Sequence, residues 1–104
     1  MAPKNETLQD IITQYFESRK YRVLELNITD IRPLHLREKT YMGTNAYTVI
    51  IHSIALGITE NSGPPWFYRT GQEVTFRDAV ITIKEDRGKR GTWIIHDIKG
   101  IAVP

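Results

Sequence analysis

Three histidines, His35, His52 and His96, are the first residues in this sequence that could carry chemistry. A metal site on them would need a second ligand a few residues away on one strand face, or two histidines one turn apart on a helix. No two of them are that close, so the sequence proposes no metal site. The complete lack of cysteine removes thiolate zinc sites, iron–sulfur clusters and cysteine nucleophiles. His96 and Asp97 are adjacent, and neighbouring side chains on a strand point to opposite faces, so the carboxylate cannot orient the imidazole directly. No serine or threonine sits in a nucleophile-elbow pattern either. The sequence therefore argues against nucleophilic catalysis and calls for no cofactor.

Acid–base chemistry leaves one pair to weigh, His52 and Asp78. His52 lies in an apolar row, where a histidine making one hydrogen bond within a sheet is the ordinary reading. Asp78 shares its alternating face with Val74, Phe76 and Val80. If that row faced the core, the carboxylate would be buried and would demand a partner. If Ala79, Ile81 and Ile83 face inward instead, Asp78 is solvated and the alternation breaks at a bulge, and this second arrangement is preferred. The enzymatic alternative is a small-ligand cone with Asp78 and His52 in an aromatic-lined pocket.

Charge is the next candidate. Fourteen Lys and Arg against twelve Asp and Glu give a formal charge of +2. Residues 1–40 and 41–104 each hold seven basic and six acidic side chains, so neither half is a basic tail. The stretch 84–91 concentrates four basic groups, among them Arg87, Lys89 and Arg90, around Glu85 and Asp86. It reads as a solvated hairpin tip. Phosphate binding by Arg87, Lys89 and Arg90 is the alternative, but a short cluster interrupted by carboxylates argues against a nucleic-acid partner.

The most informative stretch is Gly63-Pro64-Pro65-Trp66-Phe67-Tyr68-Arg69. Three successive aromatics after two prolines cannot all face one core in an extended chain, so at least one of them should be exposed. The bland reading is a hydrophobic plug closing the open end of a sheet. The functional reading is a partner-binding surface made by Trp66, Phe67, Tyr68 and Arg69, since Trp and Tyr dominate contact hot spots.

These residues must be positioned by a small number of elements. Leu8, Ile11, Ile12, Tyr15 and Phe16 form one apolar stripe at helical spacing, predicting a helix from about residue 5 to about residue 20. Thr7 with Asp10 could form a capping box, with Asn5 as the other candidate cap. Arg19 and Lys20 suit the negative end of the helix dipole. From Tyr21 the period changes to two, with Leu24, Leu26 and Ile28 on one face of a strand over 21–31. Pro33 predicts an edge or a bend, and residues 37–45 a connection. A β-branched strand follows over 47–58, with His52, Ile54, Leu56 and Ile58 sharing one face and Val49 and Ile51 the other. Gly57 is the candidate bulge in it. Further strands are predicted over 72–84 and 92–103. The connections are too short for crossover helices, so the sheet should be antiparallel.

With 104 residues, close to the usual size of one domain, residues 1–104 read as a single α+β domain: an N-terminal amphipathic helix on a curved sheet of about four strands. This order resembles the cystatin-like and NTF2-like folds, in which a helix lies in the concavity of a bent sheet, here in abbreviated form. The run Asn61-Ser62-Gly63-Pro64-Pro65-Trp66 leading to Thr75-Phe76 also resembles a family of small, uncharacterised exported proteins of spore-forming Gram-positive bacteria. Pro64, Pro65, Trp66, Thr75 and Phe76 are the matching positions, and Ser62-Gly63 stand where that family usually has a histidine. The resemblance implies export, no known enzymatic activity and no site residues. No apolar run is long enough to span a bilayer, and the first six residues have no signal-peptide character. A leader removed ahead of them would leave an extracytoplasmic domain. The expected function is a non-enzymatic accessory domain that binds a protein partner or a second copy of itself, through the aromatic loop or a strand edge.

Overall fold

The computed structural model describes residues 2–35, Arg37 and residues 43–104. Met1, Leu36 and residues 38–42, which make up much of the connection predicted after Pro33, lie outside the described residues. One helix, α1 (Asn5–Glu17), precedes four strands: β1 (Tyr21–Pro33), β2 (Ala46–Ile58), β3 (Glu73–Glu85) and β4 (Trp93–Lys99). The strands form one antiparallel sheet in the order β1-β2-β3-β4, as expected for a chain of short connections. The sheet is not closed into a barrel, and α1 packs on one face of it.

The helix follows from its stripe. Leu8, Ile12 and Phe16, spaced by four, are fully buried, and Ile11 and Tyr15 flank them half-buried. Removing each of the three from water contributes roughly 1.5–3 kcal/mol. The predicted caps do not form. Lys4 occupies the cap position with no side-chain hydrogen bond, and Thr7 and Asp10 lie inside the helix on its exposed side. At the other end the chain leaves the helix through Lys20 at φ +68, so Arg19 and Lys20 fall just past the last turn.

A flat sheet could not wrap this helix, and the strands bend through breaks in their alternation. Inward residues are separated by three positions instead of two at Val23–Leu26, Ile28–Ile31, Ile51–Ile54, Phe76–Ala79 and Ile95–Ile98. Register shifts accompany these steps in the β1–β2 and β3–β4 ladders. An extra residue in one strand kinks it and increases its twist, which is how a sheet becomes concave. Three sequence expectations are corrected by this. Leu24 does not point inward with Leu26 and Ile28; it is 48% exposed, because the ladder shifts between Val23 and Glu25. On β2, Val49 and Ile51 share the core with Ile54, Leu56 and Ile58, because the period flips at His52–Ser53. Gly57 pairs regularly with Arg22 and carries no bulge. On β3, Ala79, Ile81 and Ile83 are buried and Asp78 is exposed, as preferred from sequence, but the expected register shift is absent: β2 and β3 keep one register from Ile51–Ala79 to Ser53–Arg77.

After β4 the chain turns back through Gly100, whose φ is +88 and where a Cβ would lie 3.1 Å from the Ala79 backbone. Glycine accepts both conditions without strain. Ile101 and Val103 then pack on the core beside the helix end.

Candidate functional site

The loop between β2 and β3 is held in a single shape by hydrogen bonds. The Ser62 amide donates to the Tyr68 carbonyl (2.9 Å), and the Tyr68 amide donates to Ser62 Oγ (3.0 Å). The Phe67 amide donates to the Gly63 carbonyl (3.1 Å), closing one turn around Pro64-Pro65, whose peptide bond is cis. The base is locked by the Thr70 amide on Asn61 Oδ1 (2.8 Å) and by the Gly71 amide on the Ile58 carbonyl (2.8 Å). Tyr68 Oη donates to the Ala102 carbonyl (3.1 Å), tying the loop to the C-terminal segment.

This bracing sorts the aromatics. Trp66 and Tyr68 are half-buried, Arg69 is exposed, and Phe67 stands out at 66% exposure with φ +53. A side chain with a Cβ in the left-handed region costs roughly 1–2 kcal/mol relative to its ordinary conformations. Here the cost falls on a phenylalanine that gains little burial in return. The plug reading does not describe this arrangement, since Ile101 and Val103 pack on the core at this end and none of the three aromatics belongs to the cluster.

Beneath the loop, Tyr21 Oη donates to the Pro104 carbonyl (3.2 Å). Burial pushes the Tyr21 phenol above its ordinary value, with Tyr68 and Glu60 adding to the shift. Lys20 Nζ and Glu60 form an ion pair at 2.9 Å, 69% and 62% exposed at their side chains, which makes it a weak contact in water. Thr59 Oγ1 donates to the Lys20 carbonyl beside it.

The other candidates are placed elsewhere. His52 and Asp78 face each other across the β2–β3 ladder, between the pairs Ile51–Ala79 and Ser53–Arg77. Both are exposed, while the concave face is filled by Leu8, Ile12 and Phe16. Asp78 sits at φ +57, so the fold uses it where the period flips. His35 lies beyond the end of β1, and His96 occupies the irregularity of β4, so the structure brings no two histidines together.

Arg87, Lys89 and Arg90 are exposed on the turn between β3 and β4. Its two carboxylates serve the turn itself. Asp86 Oδ1 accepts the Gly88 amide (2.9 Å), and Glu85 accepts the Gly91 amide (3.0 Å) and Asn45 Nδ2 (3.2 Å). Those two hydrogen bonds, the Gly91 amide first, hold the Glu85 carboxyl below its ordinary range. A Cβ at Gly43, which has φ +69, would overlap the Arg87 guanidinium, so the basic tip packs back on the chain before β2.

One residue that sequence reasoning treated only as a helix-dipole partner has a defined place. The Arg19 guanidinium lies over the Tyr15 ring, 3.6 Å from its centroid, and Nη1 donates to the Tyr15 carbonyl (3.2 Å) and to Ser18 Oγ (3.3 Å). The spacing of four between Tyr15 and Arg19 was the available signal.

Among the described residues no helix is long and apolar enough to cross a membrane. Comparison of the chain with protein-family models, with curated proteins and with solved structures finds no match. Its class therefore rests on its own geometry: an α+β domain with one helix on a bent four-stranded sheet.

Proposed function

We propose that this chain is a non-enzymatic interaction domain that binds a protein partner through the loop 62–69, with Phe67 as the anchor. The observation that carries the reading is a phenylalanine 66% exposed at φ +53 on a loop cross-braced on both sides of it. Backbone strain stored at an exposed aromatic is a feature of ligand clamps and contact sites. A rigid apolar anchor loses little freedom on binding, which is what makes aromatic residues effective at the centre of an interface. Trp66 and Tyr68 flank the anchor as a half-buried base, and Arg69 supplies a polar rim.

The test is capture with wild-type and Phe67→Gly baits from cells that make the protein, alongside sedimentation velocity of each. The expected result is a partner retained by the wild type and lost by the variant, with both baits equally folded. Identical captured sets would overturn the proposal. Concentration-dependent sedimentation lost in Phe67→Gly would make the partner a second copy of the chain.

A further inference from the structure

The sheet has two outer edges, and they are not equivalent. The β1 edge contains Pro33 and three register shifts, and Gln9 Nε2 of the helix donates to its Leu26 carbonyl (3.2 Å). Prolines, bulges and covering groups are the devices that keep a sheet edge from pairing. The β4 edge has one irregularity, at His96, and among the described residues no strand pairs with its outer side.

Beside the regular stretch Trp93–Ile95 runs an open groove of about 490 Å³ between β4 and α1. Ile11 and Tyr15 line it from the helix, and three consecutive residues, Trp93, Ile94 and Ile95, line it from the strand. Consecutive strand residues point to opposite faces, so a groove touching all three reaches the strand edge itself. Ile94 is 41% exposed there.

The groove is not uniformly apolar. Arg19 is the one charged residue in its lining, and the other polar groups, Gln14 and Ser18, are neutral. A second groove of about 260 Å³, toward Ile98 and Ile101, also has Arg19 in its wall. The guanidinium is held in place by its stack on Tyr15 and its Nη1 hydrogen bonds, while among the described residues Nη2 and Nε have no acceptor. Asp97 pairs across to Thr82 on the convex face, and Glu60, which shares a neighbouring cleft with Arg19, is ion-paired to Lys20. A fixed cation with open donors at the end of an apolar groove is complementary to a carboxylate on an otherwise apolar occupant.

We infer that the β4 edge is a second binding surface, taking an extended peptide segment of a partner protein as a fifth strand. Its main chain pairs with Trp93–Ile95, alternate apolar side chains enter the groove against Ile11 and Tyr15, and an acidic side chain at its end reaches Arg19. This is strand addition, in which the backbone supplies affinity and the pockets supply selectivity. It uses a surface apart from Phe67 and stands or falls independently of that loop.

The probes are two acetylated, amidated hexapeptides, Thr-Ile-Thr-Val-Thr-Glu and the same peptide ending in Lys, titrated into the full isotope-labelled chain and followed by amide NMR. The Glu peptide should shift the amides of Trp93–Ile95 and the Trp93 indole, and bind about tenfold more tightly than the Lys peptide. Arg19→Gln, an exposed substitution, should abolish that difference and keep the shifts in the same residues. Phe67→Gly should leave both titrations unchanged. Absence of shifts at millimolar peptide, shifts on β1 instead, or equal binding of the two peptides would overturn the inference. So would a concentration-dependent dimer disrupted by Ile94→Lys, because a second copy would then own the edge.

Discussion

Asp78 offers a direct test of how the sheet is bent. It lies at φ +57 on the exposed face of β3, between the inward residues Phe76 and Ala79. Because it is exposed, substitutions there exchange almost no buried surface, and backbone preference decides their effect. Asp and Asn tolerate the left-handed region, whereas other residues with a Cβ lose roughly 1–2 kcal/mol in it, with β-branched residues at the upper end. Glycine removes that strain but gives back about 0.5–1 kcal/mol through the freedom of the unfolded chain. The expected order is therefore Asp, Asn and Gly close together, Ala about 1 kcal/mol lower and Val about 2 kcal/mol lower. For a domain of this size each kcal/mol moves Tm by about 4–8 °C. Thermal unfolding of the five proteins by circular dichroism measures the series. Thr75→Val, at an exposed position of the same strand, is the control and should be neutral or stabilising, since valine suits a regular strand. If Asp78→Val proved as stable as the wild type, the residue would not be left-handed and the flip in period between Phe76 and Ala79 would need another cause.

The core and the hairpin tip give further tests. Ile12→Ala should lower stability in urea by about 2–5 kcal/mol, because the side chain is fully buried between helix and sheet. Leu24→Ala should change stability by less than about 1 kcal/mol, and a loss as large as that of Ile12→Ala would return Leu24 to the core. Glu85 has its folded pKa lowered below 4.5, so its carboxylate stabilises the fold above that value, and the contribution is lost as pH falls through the lower folded value. The stability difference between wild type and Glu85→Gln should accordingly be largest near neutral pH and shrink on acidification below 4.5, read by denaturation at several pH values.

Much of the fold can be read from local periodicity, and its failures share one cause. The stripe from Leu8 to Phe16 identifies the helix because nothing interrupts it. The strands can be located from their β-branched runs, but not their faces, because an alternation rule assumes an unbroken period of two. Each three-residue step carries the next inward residue to the opposite parity, so Leu24 and the first half of β2 are misassigned. Asp78 is the exception, because a carboxylate in an apolar row forces the alternatives to be weighed. The aromatic loop was conspicuous as composition, yet which ring is exposed depends on the Ser62–Tyr68 hydrogen bonds, which join residues six apart. The groove at β4 depends on residues some 80 positions apart in the chain, Ile11 and Tyr15 with Trp93–Ile95, and no local pattern encodes it.

Phe67 is the residue on which the functional proposal rests, and the most direct measurement is the unfolding free energy of Phe67→Gly beside the wild type. If Phe67 is held outward for contact, glycine removes roughly 1–2 kcal/mol of left-handed strain and returns about 0.5–1 kcal/mol through the unfolded chain. The expected result is a variant at least as stable as the wild type, by up to about 1 kcal/mol. A loss of about 2 kcal/mol or more, of the size seen when a packed aromatic is removed, would show that Phe67 belongs to the fold and would contradict its role as an anchor.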